Sequence, residues 1–333
     1  MTVRVGLVIN PSAGAGNGAR VAAEVRAVLS DVAETEDLTS HDALHALARA
    51  HAAARDGSID TLVVVGGDGM AHLGLNAVAG TDVPLGLVSV GSGNDVARAL
   101  GLPVGKHVDS LRIIHAALDP REPSAEPRAL DAIRVSRPGP PRGRHSAVAD
   151  LGLVPGGEDV RWCASSLVVG FAAQINLTAN RYRWPRGGAK YVRATAAETV
   201  RFSPYGVRVD VDGETREGPA TLVSVSGTPL IGGGLAVAPD ADPTDGLLDV
   251  VHIDTVSRPT IATLFPRFAN GSHVDLRQVH VTRARRVEIH DAPEHGRPLP
   301  VAMADGEVVG RVPLVAEVVP GAWRVCAPVT PAT

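Results

Sequence analysis

Two glycine-rich segments carry the residue types that phosphate chemistry needs, Gly66-Gly67-Asp68-Gly69 and Gly91-Ser92-Gly93-Asn94-Asp95. Glycine lets backbone amides approach phosphate oxygens, and a helix following such a loop aims its positive N-terminal end at the same place. Asp68 and Asp95 would repel a bare phosphate, so a bridging Mg²⁺ reconciles them with that role. Two ordinary glycine turns are the alternative, weakened because the pattern occurs twice. The segment Asn10 to Gly18, NPSAGAGNG, has glycines at 14, 16 and 18, the wrong spacing for a dinucleotide fingerprint, although the loop could still touch phosphate. No GxxxxGK[ST] run occurs: Lys106 follows Gly105 but precedes His107, which excludes a P-loop enzyme.

Acidic groups gather twice more. Asp240, Asp242, Asp245, Gly246 and Asp249 lie in PDADPTDGLLDV. The acids fall at positions one, three and six, unlike an EF-hand, and the flanks read as strands. A hard divalent cation held partly by Asp242 and Asp245, or a solvated acidic turn, would each account for them. Ala304-Asp305-Gly306-Glu307 reads first as a hairpin turn, whose acids matter chemically only if the fold brings them to a nucleotide. His41 and His45 have the i, i+4 spacing of a zinc helix, but no glutamate follows His41 and no third ligand is evident, so they read as exposed. Cys163 and Cys326 have no partner at metal spacing and read as thiols of a reducing cytoplasm.

The elements that must hold these residues follow from periodicity. Val3 to Ile9, Thr61 to Val65 and Pro84 to Val90 are near-continuous apolar runs, as in strands buried on both faces. Both glycine loops follow such strands directly, at the strand ends where open α/β sheets bind ligands. Ala19 to Leu29 and Asp42 to Ala54 have helical spacing, the latter with Ser40 as N-cap. Alternation of strands and helices predicts an α/β half with a mostly parallel sheet. Asp119 to Pro127 reads as a linker and Ser136 to Ala149 as a flexible excursion. Beyond them, β-branched runs at Gly206 to Val211, Thr221 to Val225, Leu248 to Ile253 and Val279 to Thr282 predict a mainly β half. Helical insertions are expected near Gly170 to Asn180, Ala189 to Val200 and Arg258 to Phe268.

Composition sets outer limits. At 333 residues and 44% hydrophobic, the chain can bury two ordinary cores. A net charge of −4 argues against a dedicated nucleic-acid binder. No apolar stretch approaches the roughly 18 residues a spanning helix requires. The start, MTVRVGLVIN, enters a strand pattern without a signal peptide's apolar region, so a cytoplasmic protein with peripheral membrane contact is expected.

Taken in order, INPSAG (Ile9 to Gly14), VVGGDG, VGSGNDVARALGLP (Val90 to Pro103), APDADPTDGLLDV and ADGE resemble the diacylglycerol kinase catalytic family. That family includes bacterial lipid kinases and sphingoid-base kinases, related to NAD kinases and phosphofructokinases. The resemblance implies α/β plus mainly-β: a Rossmann-like (NAD kinase-like) parallel-sheet domain over 1–125, completed by 320–333, and a β-sandwich domain over 126–319, with the active site in the cleft between them. It implies ATP and Mg²⁺, with Asn10, Gly66, Gly67, Asp68, Gly69, Ser92, Gly93, Asn94, Asp95, Asp305 and Gly306 at the nucleotide. Asp242, Asp245 and the Leu247 carbonyl resemble the family's metal loop. Glu307, with Asp68, takes the catalytic place, Glu307 as general base toward a lipid hydroxyl. Two departures stand out: Met70 follows GGDG where threonine is usual, and Ala172 stands where aspartate is common.

A lipid kinase must reach a bilayer, and Arg181-Tyr182-Arg183-Trp184-Pro185-Arg186, continuing to Lys190, mixes basic and aromatic side chains suited to anionic lipid. A solvated helical face with its aromatics turned inward is the alternative. The function expected is transfer of the γ-phosphoryl group of ATP to diacylglycerol or a related lipid alcohol. A sphingoid-base kinase, an NAD kinase-like enzyme and a non-catalytic nucleotide or lipid sensor are the rivals. A homodimer is compatible with the sequence.

Overall fold

The computed structural model describes residues 3–11, 18–91, 93–122, 124–139, 160–182, 184 and 188–329. The chain divides into two compact units, one formed by the residues up to Ala132 together with those from Pro320 onward, the other running from Ile133 to Val319.

In the first unit, strands β1 (Val3–Ile9), β2 (Ala33–Asp37), β3 (Thr61–Gly66) and β4 (Leu85–Ser89) alternate with helices α1 (Gly18–Leu29), α2 (Ala43–Asp56), α3 (Asp68–Val78), α4 (Asp95–Ala99) and α5 (His107–Leu118). The strands are parallel in the order β2–β1–β3–β4. Every residue of β3 and β4 is buried, which is why those strands read as unbroken apolar runs. Val5, Leu7, Ile9, Val63 and Val65 share one core with Val21, Val25 and Leu29 of α1 and Leu111, Ile114 and Leu118 of α5. On the other face α3 packs close to the sheet through Gly74, where an added Cβ would lie 2.7 Å from a Leu85 methyl and 3.0 Å from Val64. Helices on both faces of a parallel sheet are the expected Rossmann-like arrangement.

Two local readings need correction here. The N-cap of α2 is Asp42, whose side chain accepts from the Leu44 amide; Ser40 instead bonds through its hydroxyl to His45 Nδ1 at 2.9 Å. β2, with sequence AETED, escaped the sequence reading because three of its five residues are acidic and it lies at a sheet edge. His41 and His45 are exposed, as expected.

The second unit is mainly antiparallel. β5 (Ala125–Ser136) enters it from the first unit, so the expected linker ends in a strand from Ala125 onward. Then follow β6 (Val160–Cys163), β7 (Ser166–Gly170), α6 (Phe171–Arg181), α7 (Gly188–Arg201), β8 (Tyr205–Val211), β9 (Glu214–Ser226), β10 (Leu230–Ile231), β11 (Leu235–Ala236), β12 (Leu248–Asp254), α8 (Arg258–Phe268), β13 (Val279–Ala284), β14 (Arg286–Asp291), β15 (Ala302–Ala304), β16 (Glu307–Gly310) and β17 (Leu314–Pro328). Most of the expected excursion after Ser136 falls outside the described residues. The first half of β9 pairs with β8; the second half pairs with both β7 and β12. That first half, ETREGP, is exposed, and its charges and Pro219 hide it from an apolar pattern. The inward residues of these strands, among them Leu167, Val169, Val207, Val209, Val223 and Val225, form one core with Leu264 and Phe268 of α8. β17 pairs with β14 in this unit, and beyond Pro320 it lies parallel to β4 of the first, with Val325 opposite Leu85.

Candidate active site

The two glycine loops lie at the carboxyl ends of β3 and β4, and a single carboxylate ties them together. Asp68, in the first turn of α3, accepts the Asn94 amide through Oδ2 and the Asp95 amide through Oδ1, each at 2.7 Å. One acid therefore sits at the N-terminal ends of both α3 and α4, where the helix dipoles favour negative charge. Asn94 adopts a left-handed conformation (φ 59°). Its side chain closes its own loop, Oδ1 accepting from the Gly91 amide at 3.2 Å and Nδ2 donating to the Gly91 carbonyl at 2.7 Å. Arg98 Nε donates to the Gly93 carbonyl at 2.9 Å.

The glycines are required by this loop-on-loop packing. A Cβ on Gly91 would lie 2.5 Å from Gly67 Cα, and one on Gly93 would lie 2.4 Å from Asp68 Oδ2. A Cβ on Gly66 would meet the Met70 side chain at 2.3 Å, so the residue that departs from the family pattern covers that glycine. Gly69 is exposed at the start of α3, the end that carries unsatisfied amides. Asn10 directly follows β1, its amide donating to the Val65 carbonyl at 3.0 Å. Asp95 is buried beneath the same loops. Ser92 lies outside the described residues.

In the second unit Asp305 and Gly306, with φ of 49° and 86°, form the two-residue turn between β15 and β16, as the Asp-Gly pair predicts. The Asp305 carboxylate is turned onto the corner between β6 and β7. Oδ1 accepts from the Ser165 amide at 2.7 Å, the Cys163 thiol at 2.9 Å and the Ser166 amide at 3.3 Å; Oδ2 accepts from the Ala164 amide at 2.9 Å. Burial, and next the Asp305 charge, push the Cys163 thiol well above its ordinary range. The turn thus fixes the start of β16, where Glu307 is exposed. The buried Arg161 is the charge felt with it: burial disfavours the guanidinium, and the negative charge of Glu307 opposes that effect. Sequence reasoning missed Arg161, because one arginine among many carries no spacing signal.

The acidic loop before β12 has a more mixed arrangement. Asp242 Oδ1 accepts from the Thr244 amide at 2.9 Å and hydroxyl at 2.6 Å, and Asp245 Oδ1 accepts from the Leu247 amide at 2.9 Å. Asp245 Oδ2 is ion-paired with Arg283, which also reaches toward Asp249 at 3.9 Å. Burial raises the Asp249 pKa, Arg283 opposes that, and Asp245 and Asp240 add to it. Asp242 and Asp245 offer hard carboxylate oxygens of the kind Mg²⁺ or Ca²⁺ prefers, with Arg283 as the counter-charge already paired with Asp245. Among the described residues, the three-residue group with metal-type geometry lies elsewhere, at exposed Glu217, Glu294 and His295.

Of the basic and aromatic segment, Trp184 is exposed, while Lys190 is half-buried with Nζ donating to Asn180 Oδ1 at 3.3 Å. Arg183 and Arg186 lie outside the described residues. No helix among the described residues is long and apolar enough to cross a membrane. Ala172 packs partly buried against Val168, Ala173 and Met303.

Comparison with known proteins joins both units. Residues 4–121 match the family described as diacylglycerol kinase catalytic domain, and residues 165–327 match the YegS C-terminal NAD kinase beta sandwich-like domain. A protein named diacylglycerol kinase from Mycobacterium tuberculosis is 33% identical over 331 residues, covering 98% of this chain and 95% of its own. A protein named "Probable lipid kinase YegS-like" from Stenotrophomonas maltophilia is 29% identical over 288 residues, 83% of this chain and 82% of its own. The fold matches a crystal structure of a diacylglycerol kinase from Bacillus anthracis with a TM-score of 0.65 at 16% identity, over 98% of this chain and 97% of that one. An α/β unit with paired glycine loops, followed by a β-sandwich-like unit and related over nearly its whole length to such proteins, belongs to the diacylglycerol kinase family of lipid kinases.

Proposed function

We propose that this chain transfers the γ-phosphoryl group of ATP to the hydroxyl of diacylglycerol or a related lipid alcohol at a membrane surface, with Mg²⁺ as cofactor. The observation that carries the reading is the 33% identity, over 98% of the chain, to a protein named diacylglycerol kinase. The clamped loops after β3 and β4 support it, because Asp68 holds two glycine-rich strand ends against each other, with Gly69 exposed at the start of α3. In the reaction the lipid hydroxyl oxygen attacks the γ-phosphorus and the bond to the β,γ-bridging oxygen breaks. ADP departs, and the hydroxyl proton passes to a carboxylate, assigned to Glu307.

In this reading Asp68 and Asp305 position rather than react, since the oxygens of each carboxylate accept backbone amides. Asp242, Asp245 and the Leu247 carbonyl would hold Mg²⁺; when bound, the ion supplies positive charge that offsets the phosphoryl oxygens. Burial disfavours the Arg161 guanidinium and the negative charge of Glu307 opposes that effect, so the two residues are electrostatically linked at this end of the second unit.

The test is purified protein with radiolabelled ATP and Mg²⁺, offered diacylglycerol, a sphingoid base and NAD separately. Label in phosphatidic acid is the expected result. Label only in the sphingoid base or only in NADP would replace the acceptor. ATP binding without turnover on any of them would favour a sensor.

A further inference from the structure

α7 carries its polarity inside out. Its one acid, Glu198, is 8% exposed and accepts a hydrogen bond from the Thr178 hydroxyl of α6 at 2.8 Å. Ala194 is buried beside it, while Val192 and Val200 are 66% and 72% exposed, with exposed Ala196 between them. Positions i, i+4 and i+8 form one stripe about 12 Å long. A surface helix of a soluble protein normally does the reverse, turning its apolar stripe to the core. A single exposed valine would need no explanation, but here the whole outward stripe is apolar.

The surroundings add charge of one sign. Trp184, 76% exposed, is tied to this helix: its carbonyl accepts from Arg193 Nη1 at 2.7 Å, and the Arg193 guanidinium lies 4.1 Å from the Tyr182 ring centroid. Arg193, exposed, borders the stripe, and from Arg181 to Arg201 the sequence holds six cations against the inward Glu198. An apolar stripe with an amphipathic indole and a cationic border matches the headgroup region of an anionic bilayer. A second copy of the chain fits poorly, because a two-fold contact would set the same cations against each other while the segment's one acid, Glu198, faces inward.

We propose that the outward face of α7, formed by Val192, Ala196, Val200 and Trp184, is the surface that docks on anionic lipid, with the helix lying in the membrane plane. The choice of a bilayer as partner rests on the lipid kinase reading. The role moves from Lys190, which is engaged with Asn180, to the exposed valines.

The full chain, without nucleotide, is floated with vesicles of phosphatidylcholine alone and of phosphatidylcholine mixed with phosphatidylglycerol. Binding is expected only with phosphatidylglycerol, with a blue shift in emission that Trp184→Phe abolishes. The double variant Val192→Gln/Val200→Gln should bind about tenfold more weakly while melting like the wild type, since both side chains already face solvent. Equal vesicle binding by the double variant, or no binding by the wild type, overturns the proposal. So does a dimer in light scattering that the double variant dissociates. Because no nucleotide is present, these outcomes separate from the kinase reading: docking without phosphorylation leaves this surface standing, and phosphorylation of dispersed lipid without docking removes it.

Discussion

Asp68→Ala would break the clamp between the two glycine loops. The carboxylate accepts two backbone amides at 2.7 Å, and Asn94 is 2% exposed. A charge-assisted hydrogen bond contributes about 1.5 kcal/mol or more, and removing the acceptor leaves two amides with poor access to water, so the loss is about 3 kcal/mol. For a unit of roughly this size that corresponds to a fall of about 6–12 °C in melting temperature. Asp68→Asn keeps one acceptor oxygen but aims an NH₂ at the other amide, so about half that loss is expected. Calorimetry of both variants, with ATP affinity measured in parallel, separates positioning from chemistry. A positioning residue lowers stability and nucleotide affinity together. If Asp68→Ala melts with the wild type yet loses all turnover, the clamp is not what Asp68 contributes.

Other outcomes follow from the same structure. Glu307→Gln should lower turnover about 10²–10⁴-fold with ATP affinity nearly unchanged in a binding titration; unchanged turnover would remove Glu307 from the reaction. Gly91→Ala sets a Cβ 2.5 Å from Gly67 Cα and should weaken both ATP binding and stability, whereas Gly188→Ala, with nothing within 4 Å, should change neither. His252 is held down to about 4, first by burial and then by the Arg216 charge. Its contribution is therefore present above the unfolded value near 6.5 and is lost as pH falls toward 4; denaturant titrations at several pH values should show His252→Gln flattening that acid slope. Burial pushes Cys326 up to about 12 and Cys163 well above its ordinary range, so neither should react with a thiol reagent at pH 8 until denaturant is added. Fast labelling of the native chain would contradict that burial.

Much of this was legible in the residues. β1, β3 and β4 announce themselves because strands covered on both faces must be apolar throughout. The glycine loops follow at the strand ends, and the Asp305-Gly306 pair marks a turn because both positions take positive φ. The charged strands β2 and the first half of β9 left no such trace, since edge and exposed strands have no face that must be apolar.

What each acid does was decided only in three dimensions. Asp68 finds its partners 26 and 27 residues away, Asp305 finds Cys163 at a separation of 142, and Asp245 meets Arg283 at 38. A carboxylate's type and spacing tell what it could bind, but its actual partner depends on which backbone amides and cations the fold carries to it. The same limit applies to α7. Periodicity alone identifies a helix with unlike faces, and packing of Glu198 against Thr178 decides that the valines look outward.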